Sequence, residues 1–258
     1  MQTILFTVEN NIGYITLHRP EALNAFNYPM LLELEEVVDQ IHLNHEISVV
    51  IITGSGDRAF SAGADLKERK ALTEHEVRRN VKAIRDVFDK IANLPQPTIA
   101  AINGYAFGGG FELMIACDFV IAVSDVKMGL TETSWAIIPG AGGTQRLPRL
   151  IGEMRAKELI LTGKRITSEE ACELGAVLQV VEKNSLMNTC HQLANQLLRN
   201  GPIAVKQAKY AITRGMNTDL NTGLEIEAKA YELTIPTEDR LEALRAFSEK
   251  RSPDFKGR

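Results

Sequence analysis

Short apolar runs without polar alternation recur in the first half of the chain, together with two amphipathic stretches. The runs cover residues 49–52, 98–102 and 119–123. A strand that is apolar on both faces must be covered on both faces, which is typical of parallel sheets flanked by helices. The stretches at residues 30–41 and 77–91 place apolar side chains at helical spacing. The alternation of strands and helices therefore predicts an α/β fold with covered sheets.

The two ends of the chain complete this predicted architecture. Residues 4–8 and 14–18 are strand-like and flank a turn, which predicts a β-hairpin. The final third of the chain has one strand-like run, at residues 177–181, and otherwise helix-start and helix-end signals. We therefore expect a core over residues 1–195 and an all-helical region over residues 196–258.

Composition and charge argue against several classes of function. A formal net charge of −4 gives no general attraction to nucleic acid or to an anionic membrane. No apolar run approaches the roughly 20 residues of a membrane span. The three cysteines are widely spaced and fit neither a disulfide framework nor a CxxC metal site. We expect a cytoplasmic protein with reduced thiols and without a metal site.

Three glycine-bearing segments follow predicted strands, and one of them contains Gly108, Gly109 and Gly110 in succession. Consecutive glycines have an entropic cost, so either close packing or a bound ligand must require them. They precede an apolar helical run that is interrupted by Glu112, and a buried glutamate needs a partner or a raised pKa. Glu132 lies in a polar loop. From the residues alone, a structural and a functional role stay open for the glycines and for both glutamates.

These segments together resemble the crotonase (enoyl-CoA hydratase) family. The matching runs are residues 62–67, 104–112 and 139–147, and residues 236–251 resemble the C-terminal segment of the family. The resemblance covers nearly the whole chain in order, which makes it more specific than any single motif. It implies an α/β, crotonase-like spiral of ββα turns with an all-helical C-terminal region that forms a homotrimer or a dimer of trimers.

The resemblance also implies roles for four residues in catalysis. The main-chain N–H groups of Ala64 and Gly109 would form an oxyanion hole for the thioester oxygen of an acyl-CoA, and a Cβ at position 109 would crowd that thioester. Fixed donors of this kind are worth on the order of 3–4 kcal/mol each. Glu112 and Glu132 would share acid and base work on one water molecule, with the assignment of acid and base left open. The N–H group of Gly140 would contact that water.

A further set of residues is implied to contact the substrate. Coenzyme A is expected along two loops, with tail residues reaching the coenzyme A of a neighbouring subunit, and one tryptophan either lines the acyl pocket or belongs to the core. The loop residues are Ala22, Leu23, Asn24, Ala62, Ala64, Asp65, Leu66, Lys67 and Gly108, the tail residues are Phe247 and Lys250, and the tryptophan is Trp135. Because coenzyme A is part of the substrate, no separate cofactor is implied.

The activity implied by the resemblance is the syn addition of water to a trans-2-enoyl-CoA, which gives a 3-hydroxyacyl-CoA. The runs at residues 65–69, 91–95 and 136–139 resemble a branch that contains methylglutaconyl-CoA hydratases of leucine breakdown, and these need a cation or donors for a distal carboxylate. Some members of that branch bind AU-rich RNA through a lysine-bearing helix. The matching residues 67–86 mix basic and acidic side chains, which favours a solvated helix. An RNA-binding protein with residual hydratase activity is the third alternative.

Overall fold

The computed structural model describes residues 2–258, which form two compact units. The larger unit comprises the chain up to Leu94 together with Thr98–His191, and the smaller one comprises Pro95–Pro97 and Gln192–Arg258. The expected boundary after residue 195 stays a prediction, because these units reflect contacts and not independent folding.

All the strands of the described chain belong to the larger unit, and they form two sheets. The strands are β1 (Ile4–Glu9), β2 (Ile12–Leu17), β3 (Val49–Gly54), β4 (Ala59–Ser61), β5 (Thr98–Ile102), β6 (Tyr105–Phe107), β7 (Phe119–Val123), β8 (Lys127–Gly129), β9 (Ile166–Thr167) and β10 (Gln179–Val181). The larger sheet has the order β1-β2-β3-β5-β7-β10, and the smaller one has the order β4-β6-β8-β9. Strands β1 and β2 form the predicted antiparallel hairpin, and the other neighbours in the larger sheet are parallel. In the smaller sheet, β8 and β9 are antiparallel.

The two sheets are linked by a repeating arrangement, because each turn of the chain gives one strand to each sheet. Strands β3, β5 and β7 lie side by side in the large sheet, and the strands that follow them, β4, β6 and β8, lie side by side in the small one. The fold is the predicted α/β spiral. Strands β4, β6 and β8 are mutually parallel, so their carboxyl ends meet at one edge of the small sheet. The segments at residues 62–65, 108–109 and 130–132 leave that edge together.

Helices connect and cover the strands, as the alternation of apolar patterns predicts. They are α1 (Tyr28–Leu43), α2 (Leu66–Ala71), α3 (Glu74–Ala92), α4 (Gly109–Met114), α5 (Gly143–Ile151), α6 (Glu153–Thr162), α7 (Ser168–Glu173), α8 (Leu186–Leu198), α9 (Pro202–Gly215), α10 (Leu220–Glu232) and α11 (Glu238–Glu249). The expected capping box at the start of α3 is present, with Thr73 and Glu76 each bonding the main chain of the other.

The core of the larger unit lies between the large sheet and helices α1 and α3. The apolar stripe of α1 is buried as predicted. On α3, Ile84 and Phe88 are buried, and Phe88 meets Phe26 edge to face with ring centroids 5.3 Å apart. Val77 and Val81 belong to the same sequence stripe, yet they line a cavity instead of packing in the core.

The smaller unit is helical, with α9 and α10 packed against each other and α11 near the C-terminus. The Asp239 carboxylate accepts hydrogen bonds from the main-chain N–H groups of Lys256 and Gly257, at 2.7 and 2.8 Å, and so holds the final residues against α11. Ile212 and Met216 remain exposed. Across residues 2–258, no helix combines the length and apolarity that a membrane crossing requires.

Candidate active site

A cavity in the larger unit lies where the small-sheet strands β4, β6 and β8 end. It is bordered by α2, α3, the first turn of α4 and the segment at residues 131–141. The predicted site residues that line it are Ala62, Ala64, Asp65, Leu66, Gly108, Gly109, Glu112, Glu132, Trp135 and Gly140. The spiral therefore brings together residues from three successive turns of the chain.

The two predicted oxyanion-hole residues lie on backbone segments that touch. The Ala64 segment is fixed by Phe26, whose N–H donates to the Gly63 carbonyl at 2.8 Å and whose carbonyl accepts from Asp65 at 2.9 Å. Gly63 has a φ of +92°, and a Cβ there would lie 3.0 Å from the Gly109 nitrogen. Within residues 2–258, no acceptor is found for the N–H groups of Ala64 or Gly109. Both amides are therefore available to a ligand in the cavity.

The three consecutive glycines have three different physical causes. A Cβ at Gly110 would lie 2.2 Å from the Ser61 carbonyl oxygen, so close helix–strand packing requires this glycine. Gly108 has a φ of +51°. At Gly109 a Cβ would meet the tip of the Ile84 side chain at 2.9 Å. A Cβ at position 109 would therefore meet Ile84 inside the protein, in addition to the crowding of the thioester that the family resemblance implies.

Glu112 is buried, with 3% of its surface exposed, in the first turn of α4. One carboxylate oxygen, Oε1, accepts hydrogen bonds from the N–H groups of Ala141 and Gly143, each at 2.8 Å. Burial raises the pKa of Glu112, while these two N–H groups and the charge of Arg146 act in the opposite direction. The two N–H bonds favour the ionised carboxylate.

Arg146 connects the loop that precedes α5, which includes Ala141, to α3. The sequence did not indicate this role. Its guanidinium donates to the Ala141 carbonyl at 2.9 Å and forms an ion pair with Asp89. The same side chain packs beside Gly142, where a Cβ would lie 2.0 Å from Nη1. The sequence shows an arginine near the start of α5, two residues after Gly143-Thr144. Its partner Asp89 is 57 positions away, so no local pattern predicts the ion pair.

Glu132 contrasts with Glu112 in its hydrogen bonding. It begins a 3-10 turn (Glu132–Trp135), and its Oε2 atom is buried without a hydrogen-bond partner among the described residues. Burial, and next the negative charge of Glu112, raise the pKa of Glu132 to about 7. The two carboxyls thus line one cavity, and burial together with the charge of Glu112 favours the protonated form of Glu132.

Known proteins resemble this chain in sequence and in fold. The sequence profile of the family described as enoyl-CoA hydratase/isomerase matches residues 7–258. The chain belongs to the enoyl-CoA hydratase/isomerase family. It is 42% identical to the short-chain-enoyl-CoA hydratase of Clostridium acetobutylicum over 100% of this chain and 99% of that protein. It is 46% identical to the human mitochondrial methylglutaconyl-CoA hydratase over 96% of this chain and 75% of that protein. The crystal structure of an enoyl-CoA hydratase from Bacillus anthracis superposes with a TM-score of 0.98, at 51% identity and with both chains fully covered.

One predicted coenzyme A contact of this enoyl-CoA hydratase/isomerase is corrected by the structure. Asn24 is fully buried, and its side-chain amide donates to the carbonyls of Ser55 and Ala59 at 2.9 and 2.8 Å. It holds the loop in shape and has no surface to offer to a ligand. Ala22 and Leu23 are partly exposed beside it.

The remaining predicted contacts are placed in different surroundings. Asp65 caps α2 and pairs with Arg19 at 2.9 Å; burial opposes its ionisation, but the N–H bonds and Arg19 outweigh burial and lower the pKa of Asp65. Lys67 is exposed and is not among the residues lining the cavity. In the smaller unit, Phe247 is exposed and Lys250 ends α11 in the left-handed conformation. Contact of these last two with coenzyme A stays a prediction.

Trp135 is not a core residue, because 63% of its surface is exposed while it borders the cavity. Of the two alternatives from the sequence, only a place at the cavity wall is compatible with the structure. Exposed Ile137 and Ile138 extend the same apolar rim.

The charged face of α3 is largely self-compensating in this family member. Arg78 pairs with Glu74 and Lys82 pairs with Asp86, while Arg79 stacks 3.8 Å above the ring of Tyr28. These contacts show the mixture of opposite charges that the sequence predicts for this helix, and the absence of RNA binding stays a prediction.

Proposed function

We propose that this protein is an enoyl-CoA hydratase that adds water syn across the double bond of a trans-2-enoyl-CoA. The observation that carries the proposal is the presence of Glu112 and Glu132 in one cavity, beside the unpaired amides of Ala64 and Gly109. Attack of water at C3 converts the thioester into an enolate whose negative charge develops on the carbonyl oxygen. Two fixed N–H donors are the groups that stabilise such an oxyanion.

The unequal environments of the two glutamates support a division of labour. Glu112, whose Oε1 already accepts two N–H bonds, is the residue more readily ionised, and it would take the proton from the attacking water. Glu132, with a pKa of about 7, would deliver its proton to C2 of the enolate. The products are a 3-hydroxyacyl-CoA, a protonated Glu112 and an ionised Glu132. Proton exchange with solvent then restores the starting state.

Replacement of either glutamate by glutamine tests this mechanism. Glu112→Gln and Glu132→Gln keep the side-chain size but remove acid–base capacity, so each should lower kcat for crotonyl-CoA hydration by about 10²–10⁴-fold. The rate is followed by the loss of the enoyl thioester absorbance, and binding of butyryl-CoA is measured by calorimetry to show that the site is intact. Glu74→Gln, on the exposed start of α3, is the matched control. Near wild-type turnover in either site variant would contradict the mechanism.

A methylglutaconyl-CoA hydratase is the second candidate, favoured by one observation. Arg69 is among the residues that line the cavity, and a methylglutaconyl group ends in a carboxylate. Specificity constants for crotonyl-CoA and 3-methylglutaconyl-CoA decide between the two candidates.

The state of assembly belongs to the same proposal. We expect a homotrimer or a dimer of trimers, acting in the cytoplasm. Exposed apolar side chains in α9, in α10 and between them support association of the smaller unit with other copies, among them Ile212, Met216 and Leu220. Light scattering of the purified protein measures the subunit number.

A further inference from the structure

The main chain on both sides of Ala64 is held by one neighbouring residue, Phe26. The Phe26 N–H donates to the Gly63 carbonyl at 2.8 Å, and the Phe26 carbonyl accepts from the Asp65 N–H at 2.9 Å. Ala64 lies between these two hydrogen bonds, and its own N–H has no acceptor within residues 2–258. The direction of the Ala64 N–H therefore depends on how firmly Phe26 and Asp65 are fixed to each other.

The side chain of Arg19 joins the two segments that meet at this point. Its Nη1 atom donates to the carbonyl of Ala25, directly before Phe26, at 2.6 Å. The same atom lies 2.9 Å from Oδ2 of Asp65, directly after Ala64. One guanidinium nitrogen thus links the main chain beside Phe26 to the carboxylate beside Ala64.

The Asp65 carboxylate has both of its oxygens engaged inside the protein. Its Oδ1 atom accepts from the N–H groups of Lys67 and Glu68, at 3.0 and 3.2 Å, at the start of α2. Its Oδ2 atom faces Arg19. Burial opposes ionisation, but the N–H bonds and Arg19 lower the pKa of Asp65. The ionised carboxylate therefore ties the backbone after Ala64 both to α2 and to Arg19.

The Arg19–Asp65 ion pair is largely shielded from water, with 16% and 11% of the two side chains exposed. Charge-assisted hydrogen bonds gain strength where water is excluded, and removal of one partner leaves the other charge uncompensated. The Arg78–Glu74 pair on α3 is instead highly exposed, and such surface pairs contribute little. The shielded pair is thus able to fix the geometry of the backbone beside it.

We propose that Arg19 is a positioning residue that keeps the Ala64 N–H directed at the thioester oxygen, because it holds Asp65 and the Ala25 carbonyl together. The inference rests on the proposed function, since it assumes that the thioester oxygen lies between Ala64 and Gly109. Arg19 is not among the residues that line the cavity. Its effect reaches the substrate only through the backbone at residues 63–65.

The variant Arg19→Met keeps an unbranched side chain but removes the guanidinium. We expect kcat for crotonyl-CoA hydration to fall by about 10- to 100-fold, because loss of a whole oxyanion-hole donor costs about 10²–10³-fold and a misdirected donor keeps part of its effect. Binding of butyryl-CoA, measured by calorimetry, should stay within about threefold of the wild type, because bonds to the oxyanion strengthen mainly in the transition state.

The infrared absorption of the bound thioester carbonyl distinguishes positioning from a general loss of structure. Butyryl-CoA with an isotopic label at its carbonyl carbon is bound at saturating concentration, and its carbonyl band is compared with that in solution. Two N–H donors polarise the carbonyl, so the band of the bound ligand should move to lower frequency in the wild type. In Arg19→Met this shift should be smaller, even though the ligand is bound.

Arg58→Met is the matched control. Arg58 is exposed and donates to the Pro20 carbonyl of the same loop at 3.2 Å, but within residues 2–258 it forms no bond with Asp65. This control should keep the kcat, the binding and the carbonyl shift of the wild type. Arg19→Lys retains the charge without the guanidinium fork, so it should recover part of the lost kcat and part of the lost shift.

The variant Asp65→Asn breaks the same ion pair from the other side, and it tests the inference if Arg19→Met fails to fold. Asparagine can still accept the N–H bonds at the start of α2, but it offers no negative charge to Arg19. It should lower kcat and the carbonyl shift as Arg19→Met does. The double variant should be little worse than either single one, because both changes remove one shared interaction.

The outcomes also separate this inference from the proposed function. A raised KM with unchanged kcat in Arg19→Met would assign Arg19 to the coenzyme A loop and overturn the inference, as would a full carbonyl shift in both variants. A wild-type protein without any carbonyl shift would instead defeat the proposed oxyanion hole itself. Full hydratase activity in Glu112→Gln or Glu132→Gln would defeat the acid–base mechanism, while the carbonyl comparison at Arg19 would still stand.

Discussion

At the scale of single residues, the burial of the Glu132 carboxyl lowers the stability of the folded protein when that carboxyl is ionised. Its Oε2 atom is buried without a partner, and its pKa is raised to about 7 by burial and by Glu112. In an unfolded chain the same carboxyl would titrate near 4.5. The folded protein therefore binds an extra proton between about pH 4.5 and 7, and its stability falls as the pH rises through that window.

Removal of this carboxyl should stabilise the protein at alkaline pH. At pH 8 the shift of roughly two to three pKa units corresponds to about 3 kcal/mol as an upper bound. Glu132→Gln should raise the free energy of unfolding by up to about that amount at pH 8 and leave it nearly unchanged at pH 4. Urea denaturation at both pH values measures the difference, with Glu74→Gln as an exposed control. Equal stability of Glu132→Gln and wild type at pH 8 would show that the carboxyl is not strained in the folded state.

The sequence indicated some of the candidate site residues, but it did not indicate the surroundings of others. Glu112 and Glu132 could be singled out because an acid in an apolar helix and a matching family motif are both visible in the chain. Asn24 could not be distinguished from Ala22 and Leu23, because its burial depends on carbonyls of residues 55 and 59 that no local pattern brings near. Arg69 was visible only as one charge among many.

At the scale of elements, α5 and the loop before it form a support for Glu112. Arg146 reaches back to the Ala141 carbonyl and across to Asp89 of α3, and so holds the loop whose N–H groups bind Glu112. The positive charge also favours ionised Glu112. Arg146 is thus a positioning residue that acts through the loop.

Arg146→Met should shift the pH dependence of hydration as well as lower its rate. Loss of the charge raises the pKa of Glu112, so the base becomes protonated at a higher pH and the acidic limb of kcat/KM moves upward. We expect the loss of rate to be largest on the acidic side of the profile and to fade towards alkaline pH, where Glu112 is ionised in both proteins. Asp89→Asn should shift the limb less, in the same direction. Arg149→Met is the control, because this arginine lies on the same helix and, within residues 2–258, its side chain donates only to the Gln145 carbonyl. A uniform loss of rate at every pH, without a shifted limb, would contradict the electrostatic role.

Helix α3 shows where element-level prediction reaches its limit. The spacing of its apolar residues and its capping box were enough to predict the helix and its start. The pattern could not tell Val87 and Phe88, which are buried in the core, from Val77 and Val81, which line the cavity. A cavity wall and a core contact both require apolar side chains, so the difference arises only from what lies opposite.

At the scale of the whole molecule, the spiral depends on close approach between its successive turns. Gly110 of α4 faces the Ser61 carbonyl of β4, and a Cβ would lie 2.2 Å from that oxygen. Gly110→Ala should therefore destabilise the protein by at least about 3 kcal/mol, because the obstacle is backbone and cannot rotate away. Thermal unfolding followed by circular dichroism measures the effect. Gly140→Ala is the comparison, since its Cβ would meet only the Val81 side chain at 3.4 Å. Similar melting temperatures for both variants would contradict this packing constraint.

The α/β class could be predicted from covered strands and helical stripes alone, whereas the spiral came from family resemblance. The pairing of β4, β6 and β8 could not have been read from their composition, because each strand has three residues and no usable period. Strand β9, with two residues, was not anticipated at all. Whether such short segments form strands depends on the neighbouring turns of the spiral, whose strands pair with them.

The parallel ends of β4, β6 and β8 have a consequence for how this chemistry can diversify. Each turn delivers one component to the same edge: the amide at residue 64, the amide and acid at residues 109 and 112, and the second acid at residue 132. A substitution at the tip of one turn alters a single component and leaves the others anchored by their own strands. If the proposed function is correct, exchange of one acid would change the reaction while the amides proposed to hold the thioester stay in place.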